Sequence, residues 1–252
     1  MKGLIPTLVV LAVVLPLLSA RAQSVHPLTA HGDDLYTQRA DPQKARQALA
    51  TYQRALASGE DAYELYWRMA MAEYRIAGQT ADGTEKRRVL DLGVYYAKKA
   101  IQVAPERPEG HYWLGVNYGV SGETKGARKG LSLVKPIKEE MNKLLAIDPL
   151  YAGGGADRIL GRLYYELPED IGGNKQRSLK HLLKAKDYGP QFALTRLYLA
   201  DTYRALDDLT KAREELEYVI AMEPDPHLVP ETAEAKEMAR KKLAELDLKG
   251  RK

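Results

Sequence analysis

The sequence predicts an all-α fold, a right-handed superhelix (α–α solenoid) of antiparallel helix pairs like those of tetratricopeptide repeats (TPR). Three observations predict it. A pattern of small and large residues recurs on paired helices, as in Leu199-Ala200-x2-Tyr203 followed by Ala212-x3-Leu216-x2-Val219. Each copy closes on a proline, at Pro105, Pro149, Pro190 and Pro224, with separations of 44, 41 and 34 residues. The last spacing equals the TPR period of about 34. The composition is 45% hydrophobic and 29% charged with no cysteine, so an apolar core and not disulfides must hold an exported chain together.

Residues 1–22 read as a signal peptide. Lys2 is followed by an apolar run from Leu4 to Leu18, and Ala20 and Ala22 occupy the −3 and −1 places of a cleavage site before Gln23. The run is shorter than the roughly 20 residues that span a bilayer, which argues against a retained anchor. No cysteine follows it, so the acylation of a lipoprotein is excluded. The expected location is the periplasm, with cleavage after Ala22. Without Lys2 and Arg21 the chain carries 36 basic and 34 acidic residues. Such an even balance does not mark a nucleic-acid surface, which concentrates basic charge.

Residues 23–34 are expected to be a flexible lead, and a helical repeat domain to fill 35–247 before a tail at 248–252. Its units fall at about 35–60, 62–105, 108–149, 154–190 and 193–224. The first is incomplete and contains Ala45, Leu49 and Tyr52. The second opens on Trp67, Ala70, Met71 and Tyr74 and closes through Gly93, Ala97 and Ala100. The third opens on Leu114, Gly115 and Tyr118, and its second half is stretched to Leu144. The fourth carries Leu160, Gly161 and Tyr164, then Ser178, Leu182 and Ala185. The fifth is nearly consensus. A stripe of Ala235, Met238, Ala239, Leu243 and Leu246 predicts a capping helix over 231–246, with a charged outer face suited to solubility.

First helices of successive pairs line the concave face of such a superhelix. Framing the repeat on Leu114-Gly115 puts Leu65, Arg68, Ala72, Arg75 and Ile76 of the second unit on that face. In the third unit it puts Glu109, Tyr112, Val116, Gly119 and Val120 there. The fourth supplies Gly155, Arg158, Arg162, Tyr165 and Glu166, and the fifth Leu194, Leu197, Asp201, Arg204 and Ala205. Apolar walls with planar guanidiniums suit a small organic anion or a hydrophobic ligand. The candidate binding residues are therefore Arg68, Arg75, Tyr112, Arg158, Arg162, Tyr165, Asp201 and Arg204. The bland alternative is that these arginines pair with Glu166, Asp201 and neighbouring acids.

Two glycine clusters interrupt the helices: Gly153-Gly154-Gly155, and Gly172-Gly173-Asn174. Free amides at a helix start there would favour an anion. The competing reading is tight turns needing positive φ, with Asn174 capping the next helix. Neither cluster has the Gly-Lys-Ser/Thr order of a phosphate loop, and Gly122–Gly126 lacks it too. The basic stretch Lys125–Lys138 reads as a helix with one packed and one wet face, with Pro136 bending it or lying near its start.

Nothing points to catalysis. The five histidines, His26, His31, His111, His181 and His227, are scattered without metal-ligand spacing. His111 occupies a packing place and His181 is expected on the surface. No serine sits in a nucleophile elbow and no thiol exists. No enzyme activity, metal or cofactor is expected.

The stretch from Gly153 through Ala156-Asp157-Arg158-Ile159-Leu160-Gly161-Arg162-Leu163 to Tyr165 resembles the T-component family of TRAP-associated transport proteins. Pro168, Gly172-Gly173-Asn174-Lys175, Ser178 and Thr195–Ala200 with Tyr203 continue the resemblance. It is concentrated in residues 150–224. It implies a periplasmic, non-catalytic protein that associates with another periplasmic protein, in particular a solute-binding receptor of a TRAP-type uptake system. It also implies a ligand-accessible cleft near Arg158, Arg162, Tyr165 and Arg204. The absent lipidated cysteine departs from that family's pattern. The alternative function is a general periplasmic TPR scaffold in envelope assembly.

Overall fold

The protein is described by a computed structural model over residues 26–124 and 127–249. The leader with its cleavage site lies outside the described residues. The helices pair as α1 (Pro27–Thr37) with α2 (Pro42–Ala57), α3 (Ala62–Gly78) with α4 (Gly83–Val103), and α5 (Pro108–Thr124) with α6 (Ala127–Ile147). They continue as α7 (Tyr151–Glu166) with α8 (Lys175–Tyr188), α9 (Ala193–Ala205) with α10 (Leu209–Ala221), and a last α11 (Val229–Lys249). A short 3-10 turn, Glu169–Ile171, follows α7. Many starts are chemically fixed. The side chains of Asp41, Asp61, Asp82, Asn174 and Asp208 each accept a backbone N–H of the first turn. Each such cap is worth about 1 kcal/mol.

Every helix packs on its sequence neighbour, and α3, α5, α7, α9 and α11 also touch in series. This double contact is what turns a string of hairpins into a solenoid. The core is correspondingly divided. Tyr52, Leu65 and Met69 centre one cluster; Ile76, Val89 and Leu90 a second; Met141, Leu144 and Leu160 a third; Leu182, Leu199 and Leu216 a fourth. Burying each large side chain contributes roughly 1.5–3 kcal/mol. The all-α TPR-like expectation holds. Among the described residues no helix is long and apolar enough to cross a membrane. Pro136 lies inside α6.

Two terminal expectations are corrected. Much of the lead at 23–34 is helical: α1 begins at Pro27 and completes the first unit. Its free amides at Leu28 and Thr29 donate to the Glu60 carboxylate at 3.2 and 3.0 Å. Tyr52 on α2 donates to Asp33 at 2.8 Å and its ring lies against Gly32. A cap supplied from 31 residues away has no local sequence signature. At the other end α11 runs past 246 into the expected tail. It packs on both α9 and α10, so it takes the place of a sixth first helix.

Candidate functional site

The first helices line a half-open chamber of about 1020 Å³. It lies at the upper end of the usual range for ligand pockets, about 300–1,000 Å³. Its walls are aromatic. Both tryptophans and the single phenylalanine of the chain, Trp67, Trp113 and Phe192, line it. So do Tyr36, Tyr74, Tyr112, Tyr151 and Tyr198. Tyr112 meets Tyr151 and Trp113 edge-on, and Trp113 tilts against Tyr74, with ring centroids 5.1–5.7 Å apart. Burial pushes the phenols of Tyr36, Tyr74, Tyr151 and Tyr198 up, so they remain neutral at physiological pH. Leu131, Val134 and Ile137 of α6 close one side.

Frame decides which residues reach this chamber. In α5 the expected Tyr112, Val116, Gly119 and Val120 line it. In α3 the expected Leu65, Ala72 and Ile76 are instead buried in the helix-packing core, and Trp67, Met71 and Tyr74 face the chamber. Those three match Tyr112, Val116 and Gly119 at a repeat offset of 45 residues, whereas the sequence frame uses 44. One residue turns a helix face by about 100°, enough to exchange core for wall.

The candidate arginines divide sharply. Arg68 pairs with Asp33 and Glu64 at 2.8 and 2.5 Å and stacks on Trp67. Arg75 is buried and pairs with Glu234 at 2.7 Å. Arg162 lines the chamber but pairs with Asp201 at 2.9 Å and with Glu166. Arg204 faces Asp201 and Glu245 at 3.8 and 3.7 Å, outside the chamber. Asp201 is buried and also accepts from Lys242 at 2.5 Å. For these four arginines the bland alternative is what the structure contains. Tyr165 also lies outside the chamber, held between Arg162 and Lys175.

Arg158 is different. It is 4% exposed, it lines the chamber, and among the described residues it has no carboxylate partner. Its Nη1 donates to the carbonyls of Ala152 and Gly153 at 3.2 and 3.3 Å. Its Nη2 donates to the Tyr112 hydroxyl at 3.1 Å and again to Ala152. The guanidinium lies over the Phe192 ring, 4.6 Å from its centroid. All of these partners are neutral. A buried charge without a counter-charge is costly. At 4–6 Å an anion would regain about 3–4 kcal/mol at an effective dielectric of 20. Elsewhere in the chamber Glu123 has its pKa raised by burial and by the charge of Glu166, opposed by Arg162. An anionic group is thus favoured at the Arg158 side and disfavoured near Glu123.

The glycine clusters serve the backbone. Ala152, Gly153 and Gly154 form a left-handed turn at φ 51, 56 and 70°, which Arg158 holds from inside. A Cβ on Gly154 would stand 2.8 Å from Ala185 Cα, and one on Gly155 2.5 Å from the Tyr112 ring. The amides of Gly172, Gly173 and Asn174 are consumed by the carbonyls of Glu169, Pro168 and Tyr164. Asn174 caps α8 by accepting from Arg177 N at 2.8 Å. That loop therefore offers no free amide cradle. His181 is not a surface residue. It is half-buried, 2.6 Å from Asp157 and stacked on Tyr164. Among the described residues no group of three or more acidic or histidine side chains is placed to hold a metal.

Comparisons with known proteins agree on the repeat architecture. A family model described as regulator of microtubule dynamics protein 1-3 matches residues 28–169. Regulator of microtubule dynamics protein 3 of Rattus norvegicus is 24% identical over 213 residues, covering 78% of this chain and 44% of that protein. Regulator of microtubule dynamics protein 1 of Bos taurus is 24% identical over 240 residues, covering 86% and 72%. The chain thus spans less than half the length of the type 3 relative. A thermophilic TPR protein of Thermus thermophilus superposes with a TM-score of 0.64 at 17% identity, covering 88% of this chain and 97% of that one. That likeness establishes the fold. The expectation of a T-component protein, drawn from residues 150–224, is not supported: the family model that matches is a different one and ends at residue 169.

Proposed function

The chain belongs to the regulator of microtubule dynamics protein 1-3 family, and from that premise we propose that it is a non-catalytic binding protein whose TPR-like body holds a small amphiphilic anion in its chamber. The names of the relatives assign them a role in microtubule dynamics. What this chain shares with them is the family match over residues 28–169, which spans α1–α7. One observation supports the ligand class. A chamber walled by aromatic rings contains a buried guanidinium, that of Arg158, with no carboxylate partner among the described residues. An apolar tail with one anionic head satisfies both features.

Trp67 and Trp113 supply the assay, since both line the chamber. Their fluorescence is followed while the full chain is titrated with dodecanoate and, separately, with 1-dodecanol. The reading expects saturable binding of both, with the carboxylate at least tenfold tighter, and loss of that preference in folded Arg158→Met protein. Absence of binding by either probe overturns it.

A second reading concerns the partner. The signal-type leader and the motifs at 150–224 favour a protein partner met after export, such as a solute-binding receptor. Capture with the mature chain from a periplasmic extract tests this. A receptor among the captured proteins supports the uptake reading, whereas envelope-assembly factors without a receptor support the scaffold alternative.

A further inference from the structure

One side of the chamber is bordered by contacts between the first and last helical units. Tyr36, Thr37 and Arg39 form one lip, and His227, Leu228 and Glu231 the other. Arg39 makes a two-point contact with Glu231, at 2.8 Å through Nε and 2.6 Å through Nη2. Nη2 also donates to the carbonyl of His227 at 2.5 Å. Beside it, Arg75 reaches Glu234 at 2.7 Å. These contacts join residues 192 and 159 positions apart in sequence. The first lip is itself held from α3, because the Arg39 carbonyl accepts from Arg75 Nε at 3.0 Å and from Gln79 at 2.8 Å.

This seam differs in kind from the other walls. Every sequence-neighbouring pair of helices is packed together, but α1 and α11 share no comparable packing. Nor does α1 pack along α3 as the later first helices pack on one another. The two acids of the seam are half-exposed, at 41% and 55%. The guanidiniums of Arg39 and Arg75 are buried, at 8% and 10% exposure, but the exposed acids leave both pairs open to screening by salt. Along the rest of the solenoid each unit is held only by its neighbours. A polar clasp with no comparable helix packing behind it therefore joins the first and last helical units along one side of the chamber.

We propose that the Arg39–Glu231 and Arg75–Glu234 clasp is a gate that opens to let ligand into and out of the chamber. It rests on the reading that the chamber takes a ligand, and its test separates the two. The chain has no cysteine, so spin labels at Gln43→Cys and Glu237→Cys, both exposed, report the seam without any ligand. Pulsed dipolar spectroscopy on this chain should give a short, closed distance. The Glu231→Gln/Glu234→Gln background, or about 0.5 M salt, which roughly halves the screening length, should add a longer population at least threefold larger than in the parent. A single distance unchanged by both treatments overturns the gate even where dodecanoate binds. If dodecanoate fails to bind, the distances still decide whether the seam opens, and the ligand reading alone falls. Where the uncharged 1-dodecanol binds, the double Gln variant should raise its association and dissociation rates together by about tenfold or more. Rates that match the parent count against the gate.

Discussion

The side chain of Asn117 on α5 occupies the space that a Cβ on Gly93 of α4 would need: that atom would stand 2.3 Å from Asn117 Oδ1. Asn117 is fully buried. Its Nδ2 donates to the carbonyls of Ala70 on α3, at 3.2 Å, and Trp113, at 2.8 Å. One amide thus ties three helices behind the chamber wall. Gly93→Ala should destabilise the protein by about 1–3 kcal/mol through overpacking. Asn117→Ala should cost about as much through the lost hydrogen bonds. In the double variant the clash is relieved, so the combined loss should be smaller than the sum of the two single losses. Urea denaturation of the four proteins reads this directly. Strict additivity would show that the contact carries no coupling.

Glu73 gives the fold a pH dependence of predictable sign. It is 2% exposed on α3, and burial pushes its pKa from 4.5 to about 7, against the lowering charges of Arg88 and Arg46. The unfolded chain therefore releases this proton first as pH rises. The stability is fully present below pH 4.5 and is lost as pH passes through about 7. Glu73→Gln should match the parent below pH 4.5 and exceed it by about 3 kcal/mol at pH 8, since each tenfold difference in proton affinity between folded and unfolded chains is worth about 1.4 kcal/mol. Equal denaturation midpoints for the two proteins at pH 8 would refute the assignment.

His111 acts in the adjoining pH range. It is 2% exposed, with Nδ1 2.6 Å from Glu140 and Nε2 2.8 Å from the carbonyl of Pro105. Burial alone would lower its pKa, but these two acceptors outweigh that and the net shift is upward from 6.5. Both ring nitrogens face acceptors, so the imidazolium satisfies both and the neutral ring only one. Its contribution is present below pH 6.5 and is lost as pH rises through the raised folded value. A proton NMR titration should place His111 above an ordinary histidine. His111→Leu should remove the corresponding loss of stability on the alkaline side.

The near-consensus fifth unit is legible in the sequence in detail, since Leu199, Ala200, Tyr203, Ala212, Leu216 and Val219 are all buried. Local spacing encodes a helix face, and the regular period of that unit keeps its frame. The second unit slips its frame by one residue because its α3-to-α5 offset is 45 residues, not the 44 that separate Pro105 from Pro149. Which acid meets which arginine is not legible, because Arg162 finds Asp201 across 39 residues and Arg39 finds Glu231 across 192. Such pairs arise from how the superhelix curves, which no local pattern carries. Arg158 is identifiable from the sequence as a groove residue. Its role as the buried support of a left-handed turn depends on backbone angles that spacing does not encode.

In that turn Ala152 adopts φ 51° and ψ 38°, a left-handed conformation that costs a residue with a Cβ about 1–2 kcal/mol. The conformation persists because its carbonyl accepts two bonds from Arg158 and the following Gly153 and Gly154 continue the same hand. Ala152→Gly removes the Cβ penalty, offset by the greater freedom glycine has in the unfolded chain, about 0.5–1 kcal/mol. The variant should therefore be neutral or up to about 1 kcal/mol more stable. Ala→Gly at the right-handed, fully buried Ala48 on α2 should instead cost about 1 kcal/mol or more. Thermal unfolding of the two variants compares the sites under one protocol. Equal destabilisation at both would mean that Ala152 does not hold the left-handed turn in solution. The chamber floor beneath Arg158 would then need a different backbone path.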